Sequence, residues 1–100
     1  MKELVFIYDK LKDEEVQKKV FGRVVKSEKD VLRGWKKTKI MMGDEIYPIV
    51  VQDYGASVTG IVILIDVDEL DKLDDFKTSR YVRRKVNLES GRDGWIYVRA

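Results

Sequence analysis

Asp74-Asp75-Phe76-Lys77, with Tyr81 and Arg83 just beyond it, is the densest group of chemistry-bearing residues in this chain, and the residue types around it limit what it can do. The 100 residues include no histidine and no cysteine. That removes the usual general base, the commonest metal ligand, the thiolate nucleophile and any disulfide framework. Acid–base work falls to carboxylate, lysine or tyrosine, and the tetrad supplies two of those types side by side. It is expected to border any site the protein has. Carboxylates are abundant, but none falls at calcium-loop spacing, and there is no glycine-rich phosphate loop. Neither a metal nor a cofactor is expected.

The tetrad needs elements to hold it. Ile61 to Ile65 is an unbroken aliphatic run, read as a strand buried on both faces. Asp66 or Asp68 then offers an N-cap, and Leu70, Leu73 and Phe76 at spacing three lie along one side of a short helix. Tyr81 to Leu88 reads as a strand whose alternation puts Tyr81 and Arg83 on one face, against either a ligand or cross-strand neighbours. The tetrad thus sits where helix gives way to loop.

Earlier in the chain, Leu4 to Tyr8 is a strand, and Asp13 caps a helix of about two turns. That helix carries Glu14 and Glu15 at its start, Lys18 and Lys19 towards its end, and Gly22 as its stop. Val24-Val25 and Val31-Leu32 are short strand pieces separated by a turn at Ser27 to Asp30, and Gly34-Trp35 marks a bulge or bend. Gly43-Asp44 turns the chain into Tyr47 to Val51, Asp53 to Ser57 is a loop, and Ser90 to Gly94 is a hairpin turn before Trp95 to Val98. The reading is a single α+β domain over residues 1–100: a small mixed β-barrel or curled sheet of about six strands, with two short helices outside it.

Twenty basic and eighteen acidic residues leave a net charge of +2, a mixed-sign surface with no electrostatic signature of nucleic-acid binding. Seven basic residues do fall between Arg23 and Lys39 around Trp35, a pattern that can hold single strands. Glu28 and Asp30 interrupt it, and a strand ribbon with lysines on its wet face is the simpler account. Nucleic acid is not expected as a partner, and Trp35 and Trp95 are read as packing residues. No apolar segment resembles a signal peptide or approaches the roughly 20 residues needed to span a bilayer, so the expected location is the cytoplasm.

Five short motifs follow one another through nearly the whole chain: Val5-Phe6-Ile7-Tyr8-Asp9-Lys10-Leu11, Tyr47-Pro48, Val58-Thr59-Gly60, Leu73-Asp74-Asp75-Phe76-Lys77 and Tyr81-Val82-Arg83. Their order resembles that of the γ-glutamylcyclotransferase-like (AIG2-like) family. The resemblance implies a small mixed β-barrel with flanking helices. It also implies a ligand site at Tyr8, Asp9, Lys10, Leu11 and Tyr81, where a turn grips the substrate by its main chain. In the family a glutamate shuttles the proton of the substrate's α-amine as that amine attacks the γ-carbonyl to give 5-oxoproline. Here Lys77 stands at the glutamate position and Asp9 at the turn glycine.

An ammonium has no lone pair with which to accept that proton, and a charged side chain now stands where a ligand would approach the backbone. The expectation is a family member without the usual activity, with a small γ-glutamyl or amino-acid-like ligand as the occupant. Whether Asp9 and Lys77 face each other across the pocket and fill it with an ion pair, or are two unrelated surface substitutions, the sequence leaves open. Two alternatives stay open. One is a working γ-glutamyl amine or amino acid cyclotransferase with Asp75, or Asp74, as a relocated base. The other is a small interaction domain using the basic ribbon of residues 23–39. The oligomeric state is not indicated.

Overall fold

The computed structural model describes all 100 residues. β1 (Lys2–Ile7) lies at the centre of a five-stranded sheet, antiparallel to β3 (Glu45–Asp66) on one side and parallel to β5 (Asp93–Arg99) on the other. β2 (Ser27–Met42) pairs with β3, and β4 (Tyr81–Asn87) pairs with β5, both antiparallel, so β2 and β4 are the edges. The central place of β1 follows from its apolar content: Val5, Phe6, Ile7 and the following Tyr8 are all buried. Alternation sends Val5 and Ile7 to one face, where they meet Ile63, Ile65, Phe21, Leu70 and Leu73 beneath α1 (Glu14–Phe21) and α2 (Val67–Lys77). Phe6 and Tyr8 go to the other face, with Leu32, Trp35, Val62, Leu88 and Ile96. In the aliphatic run of β3, two-sided burial is partial at Ile61 and fails at Leu64, which is half exposed.

The sheet curls because of one irregularity. Between the pairs Arg33↔Ser57 and Trp35↔Gln52, Gly34 alone stands opposite residues 53–56. Gly34 holds φ +82°, a left-handed conformation that glycine adopts without strain. The curl brings the two ends of the sheet together. The Glu89 amide donates to the Val31 carbonyl at 2.9 Å, and the Arg84 guanidinium lies 5.4 Å from the centre of the Trp35 ring.

Two expected breaks are absent. Residues 27–30 pair with Gly60, Ile61, Val62 and Ile63 instead of turning, and the expected loop at residues 53–57 survives only as the bulge inside β3. The strands are therefore five, two of them long, rather than about six. Glu28 and Lys29 are exposed, and on an edge strand polar side chains face water as they would in a turn. Asp30, by contrast, is buried, and its carboxylate accepts from the Val31 amide at 2.8 Å, Ser90 Oγ at 2.6 Å and Arg92 Nη2 at 3.1 Å. Burial pushes this carboxyl up, but the bonds from Ser90, Val31 and Arg92 outweigh it and hold it below its usual range. It fastens the last turn to β2.

Both helices obey their local signals. Asp13 accepts from the Glu15 amide at 3.0 Å, and Gly22 ends α1 at φ +74°. Asp66 caps α2, and its amide donates to Glu69 at 3.0 Å. The buried stripe runs Leu70, Leu73, Lys77, whereas Phe76 is turned outward and half exposed. Both i+3 and i+4 are neighbours on a helix, and which one turns inward here depends on what meets it. No helix is long and apolar enough to cross a membrane.

Arg23 donates two hydrogen bonds to Glu69, at 2.8 and 2.9 Å, and holds its carboxyl at about 2, against an ordinary 4.5, in spite of partial burial. A carboxyl depressed by folding adds stability above its unfolded value, and that stability is lost as pH falls through the folded one. Glu69→Gln is therefore expected to flatten the acid limb of stability between about pH 4.5 and about pH 2. Urea midpoints taken across that range would show it. An unchanged limb would assign the acid sensitivity to other carboxylates.

Candidate functional site

Where β1 runs out, the chain turns at Asp9 into a 3₁₀ turn over Lys10–Lys12. Asp9 suits the position because its Oδ1 accepts from the Leu11 amide at 3.1 Å, capping the turn. Its Oδ2 meets the ammonium of Lys77, the last residue of α2, in an ion pair whose side chains are only 10% and 7% exposed. The Lys77 ammonium also lies 5.0 Å from the Tyr81 ring centre and 5.4 Å from that of Tyr97. A charge this buried is tolerated only when compensated, and here each charge is the other's counterion. The contact ties the end of α2 to the end of β1.

Directly after Lys77 the backbone enters an unusual state. Thr78 has φ +64° and ψ −174°, a region that favours glycine, and the strain amounts to about 1–3 kcal/mol. Thr78→Gly is expected to raise stability by about 1 kcal/mol, relief of strain less the added freedom of glycine in the unfolded chain. A drop in the urea midpoint would instead mean that the threonine side chain stabilises the turn.

Tyrosines close the back of the site. Tyr81 donates to the Pro48 carbonyl at 2.8 Å, Tyr97 to Asp74 Oδ1 at 2.6 Å, and Tyr8 to the Tyr97 carbonyl at 2.7 Å. Burial pushes all three hydroxyls up. The charge of Asp9 adds to the effect at Tyr8 and Tyr81, and the hydrogen bond to Asp74 adds to it at Tyr97. They are held as protonated donors, so none is a base.

In front of the ion pair lies a hollow of about 340 Å³. Its walls come from the Asp9-Lys10-Leu11 turn, from residues between Phe76 and Tyr81, and from the tip of the β2–β3 hairpin at Glu45 to Pro48. Asp9, Lys10, Leu11, Lys77 and Tyr81 thus surround one space. Tyr8, expected in the wall, lies behind it in the core, because strand alternation points it into the curl. Asp75 is exposed and does not line the hollow. Asp74 borders a neighbouring groove with Arg83, Trp95 and Tyr97, and Arg83 Nε donates to it at 2.8 Å. The tetrad at the helix end is therefore divided between two hollows and open water.

Several wall residues were not among the candidates from sequence, Arg80, Tyr47 and Glu45 among them. The Arg80 guanidinium sits 4.9 Å above the centre of the Tyr47 ring, and Tyr47 donates from its hydroxyl to Glu45 at 2.8 Å. Tyr47-Pro48 is visible as a motif, but no local signal carries the hairpin tip to the end of α2. As for the basic ribbon, Lys29, Lys36, Lys37 and Lys39 are exposed along β2, while Arg23 and Arg33 are paired with Glu69 and Glu89. Trp35 is buried, and Trp95 packs against Arg83 and Lys85.

A family model described as "Gamma-glutamyl cyclotransferase, AIG2-like" matches residues 5–100. Two Arabidopsis thaliana proteins of known solution structure superpose with TM-scores of 0.84 and 0.83 at 23% and 24% identity. The alignments cover 98% and 99% of this chain, and 68% and 62% of theirs. A structure named gamma-glutamyl cyclotransferase superposes with a TM-score of 0.81 at 18% identity, over 100% of this chain and 68% of its own. This chain therefore spans about two thirds of the length of those structures, and at such identities the likeness is one of fold. No curated protein matches the sequence.

Proposed function

Since the chain belongs to the gamma-glutamyl cyclotransferase, AIG2-like family, we propose that it is a cytoplasmic member that holds a small amino-acid-like ligand and does not cyclise it. The observation that carries this reading is the buried Asp9–Lys77 ion pair. Cyclisation needs a base for the proton of the attacking amine and main-chain donors for the substrate. At the glutamate position of the family stands an ammonium bound to a carboxylate. At the turn, the Leu11 amide already donates to Asp9, so a carboxylate of the protein stands where a ligand would meet the backbone. The two groups engage each other and leave neither free for a substrate. A relocated base finds little support. Asp75 lies outside the hollow, and Asp74 is held by Arg83 and Tyr97.

The test is release of 5-oxoproline from a panel of γ-glutamyl amines and γ-glutamyl amino acids. The unaltered protein is expected to give no release above the uncatalysed rate. The double substitution Asp9→Gly with Lys77→Glu, which restores both family residues and avoids two facing carboxylates, is expected to gain turnover. Turnover by the unaltered protein that disappears in Asp75→Ala would overturn the reading and make this an enzyme with a relocated base.

A further inference from the structure

We propose that the hollow takes a small carboxylic acid with an apolar body and no ammonium group, anchored by Arg80; this rests on the non-catalytic reading above and departs from it in the ligand, which keeps the carboxylate of an amino acid and lacks its amine. The argument starts from the charges around the space. Asp9 and Lys77 cancel each other. Glu45 accepts from the Tyr47 hydroxyl. Lys10 and Arg80, which also line the hollow, have no carboxylate within ion-pairing distance. The space therefore carries an unbalanced positive charge.

Arg80 is built for a planar anion. Its guanidinium lies over the Tyr47 ring, and its fork of N–H donors, which suits a carboxylate, is in no ion pair. The only side-chain bond it makes is Nη1 to Thr78 Oγ1 at 3.5 Å, the long limit for such a contact. The apolar side of the ligand is provided for as well. Ile46 and Phe76 line the hollow yet are 62% and 44% exposed, high values for large apolar side chains and a surface that an apolar body would cover. An α-ammonium would have no such welcome. Asp9 is already paired with Lys77, and Glu45, which keeps its charge while accepting from Tyr47, is outnumbered by Lys10 and Arg80, so an ammonium would enter a net positive space. An amino acid should thus bind more weakly than the same skeleton without its amine.

Calorimetric titration of the full chain with acetate, 4-methylvalerate, 3-phenylpropionate, phenylalanine and inorganic phosphate tests this. The two larger acids are expected to bind saturably, with acetate, phosphate and phenylalanine each weaker by about tenfold or more. Arg80→Gln is expected to lower the affinity for 3-phenylpropionate by about ten- to a hundredfold, the loss of a charge-assisted pair, with an unchanged thermal midpoint. Equal binding of phenylalanine and 3-phenylpropionate, phosphate binding as tight as either larger acid, an Arg80→Gln affinity equal to that of the parent, or no saturable binding of any acid overturns the proposal. The 5-oxoproline assay reads the non-catalytic premise separately. Turnover alongside an intact Arg80 effect would sink that premise and leave the anion site standing.

Discussion

Lys77→Met is expected to lower stability by about 3–5 kcal/mol, the cost of leaving one member of a buried ion pair without its partner. Methionine keeps most of the apolar stem, so the change isolates charge from packing. What remains is the Asp9 carboxylate, 10% exposed, with one oxygen satisfied by the Leu11 amide and the other by nothing. Removing both charges should recover most of the loss. In Asp9→Asn with Lys77→Met, the asparagine oxygen can still cap the turn, and stability should return to within about 1 kcal/mol of the parent. Urea unfolding at about pH 7 of the two single variants and the double gives the coupling energy between the sites. If Lys77→Met alone shifts stability by less than about 1 kcal/mol, the pair is solvated in solution and does not tie the end of α2 to the end of β1.

The second large effect is steric. An added Cβ at Gly60 would lie 2.4 Å from the carbonyl oxygen of Ile7 and 2.7 Å from Cζ of Phe6. Neither can give way. Ile7 sits in the β1–β3 ladder opposite Ile61, and Phe6 is fully buried inside the curl. Gly60→Ala is therefore expected to cost about 3 kcal/mol or more. Any relief by backbone movement would displace the Tyr8–Asp9 segment that carries the site. Gly94 supplies the control, since a Cβ there meets Leu88 Cδ1 at 3.4 Å and the Leu4 carbonyl oxygen at 3.5 Å, near-ordinary contacts. Gly94→Ala should cost far less, and similar urea midpoints for the two variants would refute the steric account.

The parts of this protein legible in its sequence are those decided within a turn of the chain. Asp13 and Gly22 bound α1, Asp66 begins α2, and the aliphatic runs of β1 and of the second half of β3 are strands, because caps and alternation act between close neighbours. The order of five local motifs also sufficed to identify the family. What tertiary structure alone decided lies farther apart. Residues 27–30 read as a turn because a polar edge strand and a turn look alike locally, and the buried Asp30 is satisfied by Ser90 and Arg92 from the far end of the chain. Phe76 and Lys77 were equally placed to continue the helix stripe, and an aspartate 68 residues away made the buried one a lysine. Arg80 became a wall residue where the tip of the β2–β3 hairpin places Tyr47 beneath it. Spacing along the chain determines which face a side chain takes. Which group stands opposite that face depends on how distant segments cross, and that is a property of the packed whole.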